Sequence, residues 1–199
     1  MAAQQYINKP VKADNLILFT FFLHLLLLLG ASAVPEGQFF FWLLINLTVE
    51  AFIMFRLLLL WSRYSKCAPR RYNSLQLYWM LIGLSFFGMI PFVRATYGTV
   101  AFWPFLIGTV CIFLLGHLKK ETIASIFVNP HKSHQLVKWP KLLAVIIIIG
   151  IIIMAVLRFT PAHPNLGLSI FMYMIGAFTV FCATPFSLDE ERIEKLKSL

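Results

Sequence analysis

Glu50 stands at the centre of the apolar run FFFWLLINLTVEAFIMFRLLLLW, residues 39–61, eleven residues from either end. An acid at that depth in a bilayer costs roughly 2.5–3.5 kcal/mol on insertion scales, so such residues face a bundle interior and find a partner there. Asn46 lies one turn earlier on the same helix face, within reach of the carboxyl group. Arg56 follows Glu50 by six residues, about 120° around a helix, which disfavours a direct pair within the segment. Arg56 is close enough to the end of the run to reach headgroups instead. The better partner is on the preceding run. His24 and Glu50 are each thirteen residues from Gly37, the centre of a short connection. At about 1.5 Å of rise per residue, an antiparallel hairpin brings them to one depth. Thr20 shares the His24 face, one turn away.

A His and a Glu at matching depth allow two chemistries. They form a titratable unit, as a proton relay or a solute-coordinating site would require. Alternatively they form one interhelical hydrogen bond with Glu50 neutral, because burial disfavours the charged acid. Two polar residues alone do not make a pathway, which favours the second reading. The sequon Asn46-Leu47-Thr48 falls within the apolar run, so glycosylation there is not expected.

Elsewhere the chain offers little catalytic material. His131 and His134 have the spacing of two metal ligands on a helical turn, but no Cys or acid stands near them to complete a set. The same connection, 119–141, has room for a short helix ending before Asn129-Pro130. Cys67, Cys111 and Cys182 suggest no disulfide framework. Nucleophile elbows, zinc-protease motifs and phosphate-binding glycine loops are missing. No catalytic set, metal or cofactor is expected. The tail SLDEERIEKLKSL holds four of the eight acids. Ser187 and Glu190 have capping-box spacing, and Glu191–Lys195 is an i,i+4 pair. Ile193 and Leu196 stripe one face of this charged helix. Asp189, Glu190, Arg192, Ile193 and Leu196 would either return to the basic loops of the same chain or dock a soluble cytoplasmic protein.

These residues are carried by a chain that is 60% apolar, with a mean hydropathy of +0.81. Six runs approach the ~20 residues needed to span hydrocarbon, at 15–34, 39–61, 75–93, 99–118, 141–158 and 166–185. Lipid requires every backbone amide to be satisfied within its segment, so helices are expected. Val145–Leu157 does not alternate as a barrel strand would. The expected fold is an all-α, polytopic six-helix bundle over residues 1–185, followed by an amphipathic tail helix over 186–199. Ala31-Ser32-Ala33 resembles a signal-cleavage triplet, but the preceding apolar stretch exceeds the usual 7–15 residues, so the segment reads as a first membrane helix. Small residues in the third run (Gly83, Ser85, Gly88) and the fourth (Gly108, Thr109, Gly116) suggest that these two helices pack on each other. Pro91 and Pro104 flank the turn expected around Arg94. In the sixth run, Ser169, Tyr173, Gly176, Val180 and Ala183 form a stripe suited to a helix contact.

Charge orients the bundle. With both termini cytoplasmic, segments 1–14, 62–74, 119–141 and 186–199 carry fourteen Lys and Arg. The loops 35–38, 94–98 and 158–165 carry only Arg94 and Arg158. This positive-inside bias gives the net charge of +9 a topological meaning and argues against direct nucleic-acid binding. The expected protein is a non-enzymatic multi-pass subunit of a bacterial inner membrane. It would assemble as a homo- or hetero-oligomer and engage a cytoplasmic partner, as secretion, conjugation, envelope-polymer export and antiviral defence systems require. The alternative is a small channel or transporter with a His24/Glu50 midplane site. A reporter fused after Leu199 is expected to read cytoplasmic and one inserted at Asn165 external; opposite readings at both sites would overturn the orientation.

Overall fold

The computed structural model describes residues 13–100, 102–128, 148 and 166–198. Every regular element among them is helical. Helices α1 (Ala13–Ala33) and α2 (Phe39–Tyr64) form a hairpin. They are followed by α3 (Pro69–Ala95), α4 (Phe102–Leu118) and the short α5 (Lys120–Val128). Next come α6 (Leu166–Ala183), a 3-10 turn (Thr184–Ser187) and α7 (Glu190–Ser198). Four of these helices are long and apolar enough to cross a membrane, or five if α4 and α5, bent by 57° at their junction, count as one span. The expected run 141–158 lies outside the described residues, Ile148 excepted.

The helix limits follow local chemistry. Pro69 opens α3, where its missing N–H costs nothing and its fixed φ suits a first helical residue. The α1–α2 connection turns through Gly37 (φ 103°) and Gln38 (φ 50°). Pro91, expected beside a turn, is instead buried inside α3, which continues to Ala95. Membrane helices tolerate such a proline where neighbours satisfy the freed backbone.

Packing sets the directions. α1 and α3 run parallel: Gln76 meets Leu16 and Thr20 at one end, and Arg94 meets Ser32 at the other. α6 runs against α3, with Gly88 facing Met172 and Gly176 facing Ser85 and Met89. α4 runs beside α6, joined by Thr109–Tyr173 near one end and by Gly116 against Val180 and Thr184 near the other. The expectation that small residues join the third and fourth helices therefore needs correction. Ser85, Gly88 and Gly116 serve α6, and Gly83 serves α1. α3 and α4 touch through larger groups, Phe92–Phe105 and Tyr78–His117. The α6 stripe lies inward: Ser169, Gly176, Val180 and Ala183 are buried.

The outer faces carry exposed Leu18, Phe22, Leu26, Phe40, Leu44 and Phe55, a surface suited to hydrocarbon. Helices without a hydrophobic drive to associate in lipid depend on close packing, and Gly176 provides it. A Cβ there would come within 2.6 Å of Met89 Cγ and 2.8 Å of the Ser85 carbonyl oxygen. A Cβ at Gly30 would meet nothing within 4 Å. Gly176→Ala is thus expected to cost about 1–3 kcal/mol in detergent unfolding, and Gly30→Ala to be silent or slightly stabilising. Equal melting curves for the two variants would refute the α3–α6 contact.

Candidate functional site

The interface of α1, α2 and α3 contains a column of buried polar groups. On α1, Thr20, His24 and Ser32 share a face at spacings of four or eight residues, and all three are fully buried. Each four-residue step advances about 6 Å along the helix. α2 contributes Glu50 and Asn46, and α3 contributes Gln76, the Met80 carbonyl and Arg94.

At one end, Gln76 Nε2 donates to Thr20 Oγ1 and to the Leu16 carbonyl, each at 3.0 Å. One turn further, His24 Nδ1 lies 2.8 Å from Glu50 Oε2, and His24 Nε2 lies 2.8 Å from the Met80 carbonyl oxygen. The structure thus brings His24 and Glu50 together. Next along the column, Asn46 Nδ2 donates to Ser32 Oγ at 2.9 Å, and Ser32 Oγ donates to the Leu28 carbonyl at 2.6 Å. This departs from the expected Asn46–Glu50 bond. Asn46 faces the α1 side of the hairpin, where Ser32 offers a hydroxyl at its own depth.

The hydrogen-bonding pattern fixes protons. A carbonyl oxygen only accepts, so His24 Nε2 carries a hydrogen toward Met80. Its Nδ1 then faces the carboxyl with at most one hydrogen between them. With none, two lone pairs and a negative charge would oppose each other at 2.8 Å. The pair therefore shares one proton and is neutral overall, whether written as imidazole and acid or as imidazolium and carboxylate.

Gly83 makes this arrangement possible. A Cβ there would lie 2.2 Å from His24 Cε1 and 2.6 Å from Nε2. The missing side chain on α3 leaves the space that the imidazole occupies. Phe87, one turn on, meets the ring edge-to-face at 5.7 Å between centroids.

Arg94 closes the column. Expected in an external loop, it is instead buried in the last turn of α3. Its Nη1 donates to the carbonyls of Ala31 (3.3 Å), Ser32 and Val34 (3.5 Å), and its Nη2 to Gly37. The Trp42 ring lies 5.6 Å from the guanidinium carbon. These carbonyls belong to the end of α1 and the loop after it, where a helix presents partial negative charge. The cation fills the role of a C-cap. Arg56, by contrast, is exposed and lies 5.7 Å from the Trp79 ring.

No family model matches this chain, and the comparisons with curated proteins and solved structures found no match.

The tail residues lie at the far end of α3. Arg71 donates from Nη1 to the Leu188 carbonyl and from Nη2 to the Ser187 carbonyl (3.1 Å), and pairs with Asp189 Oδ1 at 2.6 Å. Ser74 Oγ donates to the Phe186 carbonyl at 2.7 Å. Arg192 Nε lies 3.6 Å from Glu121 of α5, both exposed, a pair of little energetic weight. Glu190 is exposed, Ile193 and Leu196 are half-buried, and the Glu191–Lys195 pair is present at 2.9 Å. The expected Ser187–Glu190 capping box is replaced. Ser187 Oγ donates back to the Thr184 carbonyl within the 3-10 turn, and the Asp189 carbonyl accepts the Ile193 N–H, placing the cap at Asp189. His131 and His134 lie outside the described residues, and no three metal-ligating side chains are grouped among those described.

Sequence reading missed Ser32, Gln76, Gly83 and Arg94 as members of the column. The four-residue spacing of Thr20, His24, Leu28 and Ser32 would have flagged Ser32, but nothing local assigns Gly83 to His24. Gly83→Ala is expected to cost about 1–3 kcal/mol in detergent unfolding, and His24→Ala a similar amount by orphaning Glu50. Because truncation of His24 vacates the space that the new methyl at position 83 needs, the double variant is expected to be less destabilised than the sum. Additive losses would place the imidazole elsewhere.

Proposed function

We propose that the protein is a non-enzymatic, multi-pass membrane subunit that presents a charged tail helix to a cytoplasmic partner. The chain crosses a bacterial inner membrane six times, with both ends inside. Two features support the six-helix reading. The apolar run 141–158 has the length of a span. In addition, α5 lies by the tail while α6 begins beside the opposite end of α3. The observation that carries the functional reading is the anchoring of the tail. Arg71 and Ser74 grip residues 186–189, and α7 stands beyond that grip with Glu190, Glu191, Glu194, Lys195 and Lys197 exposed. A tail needed only to cover basic loops would turn its acids inward. Among the described residues, Asp189 is the tail acid that meets a basic side chain of another segment, Arg71, and the next two acids are exposed. Asp189 thus holds the start of the helix in place, while Glu190, Arg192 and their exposed neighbours form the contact face.

A second reading, a small channel or transporter using His24 and Glu50, is favoured by one feature. Glu50 Oε1 and Asn46 Oδ1 are buried with no hydrogen-bond partner. Buried polar atoms are nearly always satisfied, so such a pair supports a site that takes up a further donor.

Glu190→Lys combined with Glu191→Lys reverses the exposed charge and spares Arg71–Asp189. Purification in mild detergent is expected to recover a soluble protein with the wild type at a fixed ratio, and to lose it with the double variant at unchanged monodispersity. Recovery unaffected by the reversal, or no partner with either form, would sink the docking reading.

A further inference from the structure

We propose that His24, Glu50 and Asn46 form a proton-binding site that holds one shared proton in one state and a second, on Glu50 Oε1, in the other. This deepens the channel-or-transporter reading by naming the ligand, but concerns binding of the proton and not its passage.

The orientation of Asn46 is the first support. Ser32 Oγ gives its only hydrogen to the Leu28 carbonyl, so toward Asn46 it can only accept. Asn46 must present its NH₂ to Ser32, and its Oδ1 is left as an acceptor in a buried place with no donor. The amide cannot flip without setting two acceptors against each other. Glu50 Oε1 is in the same condition one turn along α2. In the one-proton state its partner oxygen Oε2 is occupied with His24 Nδ1, so Oε1 can only accept. Two oxygens on one helix face thus lack a hydrogen, and one proton supplies it.

Placed on Oε1, that proton makes a donor, and Asn46 Oδ1, one turn away on the same helix, is the buried acceptor still without a partner. Oε2 becomes a carbonyl-type acceptor for His24 Nδ1–H, while Nε2–H remains on the Met80 carbonyl. The atoms balance: one proton is taken up, no other bond breaks, and the unit passes from neutral to a single positive charge. Every polar atom of the three side chains then has a partner. The opposing term is burial of that charge.

The groups that face the unit set this opposition. α1 brings Thr20 and Ser32, both neutral. α3 brings Gln76, Gly83, Phe87 and, beyond Ser32, the Arg94 cation. On α2, Arg56 is turned outward over Trp79. No second acid meets the unit among the described residues. The surroundings therefore resist a charge, and the hydrogen bond to Asn46 favours it.

The full chain in lipid nanodiscs, labelled with ¹⁵N-histidine, permits a direct test by infrared and solid-state NMR across a pH series. Two-proton occupancy has a signature that a simple ion pair lacks. The carbonyl band of a protonated carboxylic acid grows on acidification while both nitrogens of His24 carry hydrogens. Glu50→Gln is expected to remove the band, because Gln can still donate to Nδ1 but cannot take the second proton. Asn46→Ala is expected to move the band to higher frequency, because the acid hydrogen loses its acceptor. Variants that fail to fold leave the wild-type signature as the deciding measurement. Absence of the acid band whenever His24 is doubly protonated would overturn the proposal, as would a Glu50–Asn46 water contact that persists unchanged at every pH. Passage of protons across liposomes is a separate readout: its absence with the signature intact would reject transport and leave the binding site standing.

Discussion

The imidazole of His24 is the joint on which the first three helices depend. It bonds a side chain of α2 with one nitrogen and a backbone carbonyl of α3 with the other, both at 2.8 Å. In hydrocarbon no water competes for these groups, and a lost partner would leave a buried acid exposed to its full desolvation cost. The ring also needs space, which only a residue without Cβ provides at position 83. Three helices are thus fixed in register by one side chain and one absent side chain.

The same logic repeats along the column. Thr20 and Gln76 tie α1 to α3, Ser32 and Asn46 tie α1 to α2, and Arg94 ties the end of α3 to the end of α1. Individual interhelical polar bonds in membranes are worth only about 0.6 kcal/mol on average. Their effect here is more on specificity than on total stability, because each bond is satisfied in one register and orphaned in its neighbours. Close apolar packing supplies the rest, most clearly where Gly88 and Gly176 let α3 and α6 approach. Arg94 also accounts for an exception to the charge pattern. A basic residue stands at the poorly basic end of the bundle because it serves as the cap of α1.

The tail follows a different rule, being polar and mostly exposed. Its attachment uses backbone carbonyls more than side chains, with Arg71 and Ser74 reading the turn at residues 186–188. The 3-10 turn ends at Leu188, whose backbone is extended (φ −72°, ψ 147°), so α7 starts only at Glu190. The capping spacing of Ser187 and Glu190 is therefore present in the chain but unused.

Hydropathy alone determined the helical class, the limits of most apolar segments and the depth at which His24 and Glu50 lie. Those properties are local, since a continuous apolar run in lipid has one economical backbone form and a short loop fixes the register of a hairpin. The same reasoning located α5 before Asn129 and the Glu191–Lys195 pair. What the sequence could not assign were relations across distant segments. Asn46 chose Ser32 over the nearer Glu50, the small residues of α3 turned to α6 and α1 rather than α4, and Arg94 turned inward to α1. Each choice depends on which helix faces which, and in a chain whose surfaces are apolar on nearly every side, hydropathy does not distinguish the faces. Only the packed bundle does, because a missing Cβ or an orphaned polar atom has meaning only once its neighbour is known.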